Sequence, residues 1–179
     1  MFQDESGFSL LPPVRATWAP RGKTPVLRHR FNWARLSMAG ALAYRPDRSQ
    51  AALMFQIKQG SYDTKSLTGF LQDLHEHFPA ARITLIWDGL PAHRSTAMKP
   101  WITSQHRWLT VERLPGYAPE LNPVESVWSH LKRSLANLAK RDISQLTALV
   151  KTRLRRMQYR PGLLDGTRLD LTPFCNLRN

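Results

Sequence analysis

The spacing of apolar residues along this chain changes several times, and each change marks an element. Residues 35–44 and 51–57 are two apolar runs separated by Arg45-Pro46-Asp47-Arg48-Ser49-Gln50. That pattern predicts two paired strands joined by a polar loop. From Thr64 onward, Leu67, Phe70, Leu71, Leu74 and Phe78 recur every three or four residues, drawing one stripe along a helix that ends near Pro79. Ile83-Thr84-Leu85-Ile86-Trp87 is a short apolar run stopped by Asp88-Gly89, as a buried strand emerging into a loop would be. Residues 95–104 predict a short helix kinked or interrupted at Pro100, and residues 108–114 a further strand.

The two ends of the chain read differently. Up to about Arg30, Gly7, Pro12, Pro13, Pro20, Gly22 and Pro25 punctuate short apolar pieces, which predicts strand ends and a long loop or hairpin. In the last third, Asn122-Pro123 opens a helical pattern with Val124, Val127, Trp128, Leu131, Leu135 and Leu138 on one face. Asp142 and Gln145 open another, striped by Leu146, Leu149, Val150, Leu154 and Met157. There is no internal repeat. Strands, helix, strand, helix, strand, helices in that order predict an α/β layer architecture, a mixed sheet with helices packed on it.

Charge narrows the class of partner. The 179 residues carry 26 Lys+Arg against 13 Asp+Glu, a formal net charge of +13. An excess of that size favours a polyanion, nucleic acid being the commonest, over a merely basic surface. The excess is concentrated late: Lys132, Arg133, Lys140, Arg141, Lys151, Arg153, Arg155, Arg156 and Arg160 face only Asp142 between Trp128 and Arg160. Of these, Lys132, Arg133, Lys140, Arg141, Arg153, Arg155 and Arg156 are the candidate phosphate contacts, against the plainer reading of a solvated face. No apolar run approaches the roughly 18 to 20 residues of a membrane span. The opening Met-Phe-Gln-Asp-Glu-Ser lacks the basic start and apolar core of a signal peptide, so a cytosolic home is expected. The single cysteine, Cys175, excludes a disulfide framework and a cysteine zinc site.

With few acids present, their positions matter. Asp4-Glu5 lies on a short extended piece that turns at Gly7, Asp88 where a strand ends, and Glu125 in the first turn of a helix. Carboxylates so placed can converge at one edge of an α/β sheet. Hard oxygen ligands without thiols suit magnesium or manganese, and two such ions activate a water and stabilise a leaving oxygen in phosphoryl transfer. Each acid also has a structural reading. Asp4 fits a turn residue before Gly7, Asp88-Gly89 an ordinary turn, and Glu125 the third helical position, where a capping-box glutamate belongs. Gly22-Lys23-Thr24 resembles the end of a phosphate-binding loop, but Thr17 stands where that motif needs glycine. His75 and His77, two apart on a helix, point to different faces and are a poor metal pair. His93 is either the edge of a site or a capping or surface histidine.

Taken together, four segments are more specific than their parts. Phe2-Gln3-Asp4-Glu5-Ser6-Gly7-Phe8, Thr17-Trp18-Ala19-Pro20-Arg21-Gly22-Lys23-Thr24-Pro25, Leu85-Ile86-Trp87-Asp88-Gly89-Leu90-Pro91-Ala92-His93 and Leu114-Pro115-Gly116-Tyr117-Ala118-Pro119-Glu120-Leu121-Asn122-Pro123-Val124-Glu125-Ser126-Val127-Trp128 resemble, in order, the signature blocks of DDE transposases. The chain is similar to the bacterial insertion-sequence branch of the Tc/mariner superfamily, the insertion-sequence six-thirty family, from Met1 to about Met157. Pro-x-Leu-Asn-Pro-x-Glu-x-x-Trp is the most specific block.

The resemblance implies a ribonuclease-H-like fold over residues 1–160, a mixed five-stranded sheet flanked by helices, with a C-terminal tail at 161–179. It implies that Asp4, Asp88 and Glu125 are the catalytic, metal-binding triad for two Mg²⁺ ions, with Mn²⁺ able to substitute. Glu5, Glu120 and His93 match accompanying motif positions. The implied activity is strand cleavage at transposon ends and strand transfer into target DNA. The implied partner is double-stranded DNA, with a homodimer for the full-length protein and a place on the bacterial nucleoid. A non-catalytic DNA-binding fragment and another ribonuclease-H-like nuclease are the competing readings. Two departures from the family stand out. No helix-turn-helix module precedes the catalytic blocks, and only three residues precede Asp4, although strands average about five to six. The central first strand is therefore expected to be truncated at its N-terminus, as in a split, late-started or decaying reading frame.

Overall fold

The computed structural model describes residues 1–28, 34–45, 51–116, 118–160, 162 and 164. Most of the loop expected at residues 45–50, the end of the N-terminal stretch, Tyr117 and nearly all of the tail at 161–179 lie outside the described residues. Five strands form one sheet: β1 (Phe2–Ser9), β2 (Arg35–Tyr44), β3 (Ala51–Gln59), β4 (Ile83–Trp87) and β5 (Leu109–Arg113), in the order β3-β2-β1-β4-β5. β1, β2 and β3 pair antiparallel, whereas β4 runs parallel to both β1 and β5. The mixed five-stranded sheet is as expected.

The first strand does not make the turn expected at Gly7. It is eight residues long because it runs through Gly7, which pairs with Ser37 instead of turning. Toward β4 its pairing is confined to its start: Phe2 registers with Ile86, the Ile86 N–H donates to the Met1 carbonyl at 2.8 Å, and the Met1 amino group donates to the Thr84 carbonyl at 2.8 Å.

Helices cover both faces. On one lie α1 (Thr64–His77) and α2 (Met98–Ser104), whose Leu67, Phe70, Leu71, Leu74 and Met98 are buried against Leu85 and Trp87. Asp63 caps α1 in a reciprocal capping box with Ser66. Pro100 does not interrupt a helix. α2 begins only at Met98, which puts the proline in the first turn, where its missing N–H would have had no partner. On the other face lie α3 (Pro123–Ser134) and α4 (Ile143–Gln158), burying Val124, Val127, Trp128, Leu131, Leu146, Val150 and Leu154 against Phe2, Phe8, Leu36 and Leu42. Each such side chain stabilises the fold by about 1.5–3 kcal/mol. The α3 stripe ends at Leu135. Asn137 adopts φ 57° and breaks the period, so Leu138, expected in the core, is 38% exposed. Leu164 joins this core from beyond residue 160. No helix of the described residues is long and apolar enough to cross a membrane.

Candidate active site

Strand register brings the first two carboxylates level. Phe2 pairs with Ile86 in parallel, so two residues further along both chains stand Asp4 and Asp88. Alternation along β1 then separates the two neighbouring acids. Asp4 faces α3, while Glu5 points to the opposite side of the sheet, where it accepts hydrogen bonds from Gln3 and His93.

The third carboxylate arrives on α3, and the residues around it explain the spacing of its sequence block. Asn122, 4% exposed, caps the helix by accepting the Val124 N–H at 3.2 Å, and its Nδ2 donates to the Gln3 carbonyl at 3.2 Å. The start of α3 is thereby fixed to β1 beside Asp4. Glu125 follows three residues later and Trp128 three after that, which keeps all three on one side of the helix. The Trp128 Nε1–H donates to Oδ2 of Asp4 at 2.8 Å. Gly40, paired with Asp4 across β2, makes room: a Cβ there would lie 2.6 Å from the Trp128 ring. Glu125 does not close a capping box, because the Asn122 N–H donates instead to the Pro119 carbonyl at 2.9 Å. Glu125 lines a cavity of about 570 Å³ together with Asp4, Asp88, Arg94 and Asn122, walled also by Leu114, Pro115 and Pro119. Glu120 is exposed and does not line this cavity.

Electrostatics registers the convergence. Burial, then the charge of Glu125, push the Asp4 carboxyl up to about 7, with Glu5 and Asp88 adding to the rise and the Trp128 hydrogen bond opposing it. Only 6% of Asp4 is exposed. Asp88 moves the other way. Burial raises it, but hydrogen bonds from His93 and the Leu90 N–H, with the charges of His93 and Arg94, hold it below the usual carboxylate range.

His93 is neither a surface residue nor a helix cap. It lies 1% exposed in the short 3₁₀ turn Pro91–Arg94, stacked on Trp87 with centroids 4.0 Å apart. Its Nδ1 reaches Asp88 Oδ1 at 2.8 Å and the Asp88 carbonyl at 3.0 Å, and its Nε2 reaches Glu5 Oε1 at 3.1 Å. Burial pushes the imidazole down, yet the bonds to Asp88 and Glu5 outweigh it and raise it to about 9. Both ring nitrogens therefore donate at neutral pH.

Among the described residues no three His, Cys, Asp or Glu side chains close on a single point. Asp4 and Asp88 each commit one oxygen to the protein, Oδ2 to Trp128 and Oδ1 to His93 and Leu90. His75 stacks on Trp108 and His77 meets Phe78 edge-on.

The basic candidates divide. Lys132, Arg133, Arg141, Arg155 and Arg156 are exposed and Arg153 half-buried. Lys140 departs from expectation: it is buried and its Nζ donates to the Leu135 carbonyl at 3.2 Å, closing the end of α3 instead of facing solvent. Periodicity missed three contributors, Trp128, Gly40 and Asn122. Trp128 reads as core, and a glycine inside a strand was the available sign of close approach.

A family model described as DDE superfamily endonuclease matches residues 1–149. No curated protein matches the chain. Among solved structures, the chain is similar to the Mos1 transposase in a paired-end complex with the left transposon end, at 13% identity and TM-score 0.60, covering 93% of this chain and 54% of that one. It is similar to the catalytic domain of Mos1 mariner transposase at 13% identity and TM-score 0.55, covering 93% and 78%. A chain of the simian T-cell lymphotropic virus intasome matches at 11% identity and TM-score 0.51, covering 86% and 45%. The chain thus spans about half the length of the transposase in the paired-end complex. At these identities the likeness shows the fold, the ribonuclease-H-like one of transposase and integrase catalytic domains.

Proposed function

This chain belongs to the DDE superfamily endonuclease family, and from that membership and its cavity we propose that it is the catalytic domain of an insertion-sequence transposase, cleaving strands at transposon ends and joining them to target DNA. The observation that carries the reading is that Asp4, Asp88 and Glu125, remote in sequence, line one cavity.

The donor set fits divalent metal. Three hard carboxylates and no thiol suit Mg²⁺ or Mn²⁺, and a carboxyl raised by burial and then by like charge, as Asp4 is, gains most from a cation beside it. Asp4, Asp88 and Glu125 would hold two ions. When bound, such ions lower the pKa of the attacking water or 3′-hydroxyl and stabilise the leaving oxygen.

The chain's own residues do the rest. Trp128 and His93 each fix one carboxylate oxygen, leaving Oδ1 of Asp4 and Oδ2 of Asp88 for the cation. Asn122 sets the angle at which α3 presents Glu125. Arg94, on the cavity wall beside Asp88, supplies a fixed positive charge for the scissile phosphate. Lys132, Arg133, Arg141, Arg153, Arg155 and Arg156 hold the duplex backbone by charge, without reading sequence. On this reading the chain works on double-stranded DNA in the bacterial cytoplasm, at the nucleoid, and as a homodimer in the full-length protein.

Calorimetric titration with Mn²⁺ tests the assignment. Wild type should bind, whereas Asp4→Asn, Asp88→Asn and Glu125→Gln should each weaken binding at least tenfold with the thermal melt still cooperative. Equal affinity in all four proteins would remove the triad.

A further inference from the structure

A second cavity lies between α3 and α4. It measures about 110 Å³ and is lined by His130 and Ser134 from α3, by Arg153, Arg156 and Met157 near the end of α4, and by Arg160 just beyond it. His130 and Ser134 stand four apart on α3 and Arg153 and Arg156 three apart on α4, so each pair faces the other from one side of its helix, and Arg160 reaches the notch from just beyond the α4 C-terminus. No acid lines the notch. Among the described residues the two ion pairs are both made by His93, so none of the described carboxylates pairs with these guanidinium groups.

Three like charges held around so small a space repel one another unless an anion lies between them. The walls do not move apart easily. Val127, Leu131, Leu154 and Met157 are buried in one core, and the Gln158 Nε2 donates to the Leu53 carbonyl at 2.7 Å, tying the end of α4 to β3. Arginine forks with a hydroxyl and an imidazole are the donor set that recognises phosphate oxygens. The volume is well under the roughly 300–1,000 Å³ of pockets that enclose whole small molecules. It suits a compact group carried by a larger partner.

We propose that this notch is a seat for one phosphodiester of duplex DNA, separate from the phosphate being cleaved. From Glu125, His130 and Ser134 lie about 8 and 14 Å further along α3 and roughly 140–180° around it. A phosphate seated there therefore anchors the duplex at a second point, away from the carboxylates. The DNA identity of the partner rests on the function proposed above, but seating an oxyanion does not depend on cleavage.

The test measures binding in EDTA, where no cleavage occurs, using a fluorescent 30-base-pair duplex of arbitrary sequence across a salt series. The double variant Arg153→Gln/Arg156→Gln should bind at least tenfold more weakly, with a salt slope lower by about one. Lys65→Gln/Lys99→Gln, which removes the same charge from the opposite face of the sheet, should change affinity less than twofold. Ser134→Asp, which keeps every cation but places a counter-charge in the notch, should weaken binding as the arginine pair does. Inorganic phosphate should raise the melting temperature of wild type and not of the arginine variant. Equal losses for the two double variants, or equal phosphate stabilisation, would overturn the seat in favour of a diffuse field. If phosphate stabilises wild type alone but DNA binding is unchanged, the seat takes a free oxyanion and the DNA assignment fails. Loss of nicking with the binding differences intact would instead count against the catalytic reading.

Discussion

The indole N–H of Trp128 holds Oδ2 of Asp4 at 2.8 Å, across 124 residues of sequence. One hydrogen bond thus joins the middle of the sheet to the helix that carries Glu125, and it specifies which way a buried carboxylate faces. Trp128→Phe keeps most of the packing and removes the donor. Metal affinity and cleavage should fall about 10- to 100-fold, and stability by about 1–2 kcal/mol, read from Mn²⁺ calorimetry and a denaturant melt.

The room for that indole comes from Gly40. Since a Cβ there would come within 2.6 Å of the ring, Gly40→Ala should destabilise by about 1–3 kcal/mol through overpacking. Trp128→Leu in the same chain should restore part of the loss. Thermal melts of the two single variants and the double variant measure that coupling. Additive effects would mean that the two positions do not meet.

Asp4 exerts a stability cost. Its folded carboxyl lies near 7 against 3.8 for the free group, so the cost of ionising it in place is absent below about pH 4 and complete above about pH 7. Asp4→Asn should therefore be more stable than wild type by about 1–3 kcal/mol at pH 8, with the difference shrinking as pH falls toward 4. Mn²⁺ should narrow the gap from the wild-type side.

His93 has the opposite sign. Its folded value near 9 exceeds the ordinary 6.5, so its contribution is complete below about pH 6.5 and disappears as pH rises through 9. His93→Gln should cost about 3 kcal/mol at pH 6 and much less at pH 10. A pH series of urea melts on the two proteins gives the curve. A constant difference across that range would deny the imidazole its charged role between Asp88 and Glu5.

What the sequence disclosed follows from what periodicity encodes. The stripes Leu67, Phe70, Leu71, Leu74 and Leu146, Val150, Leu154 are each buried, because a helical period states which side faces the core. Where elements end was less legible. Gly7 continues a strand, because eight cross-strand pairs with β2 override a local turn preference, and Asn137 ends the α3 stripe before Leu138. Of the site, the three carboxylates were visible by type and motif. That Asp4 and not Glu5 enters the cavity depends on strand register and sheet face, and Glu125's freedom from capping depends on Pro119 taking the Asn122 N–H. Lys140 counted as a surface charge by composition. Only the position of the Leu135 carbonyl shows that it is a structural cap.

The most direct measurement is nicking of supercoiled plasmid by purified protein with Mg²⁺, Mn²⁺ or Ca²⁺, for wild type, Asp88→Asn and Glu125→Gln. Wild type should nick with Mg²⁺ and Mn²⁺ but not Ca²⁺, and either variant should lose at least a thousandfold of that nicking while DNA binding in EDTA is unchanged. Full metal-dependent nicking by either variant, or none by wild type with any of the three ions, would contradict the catalytic assignment.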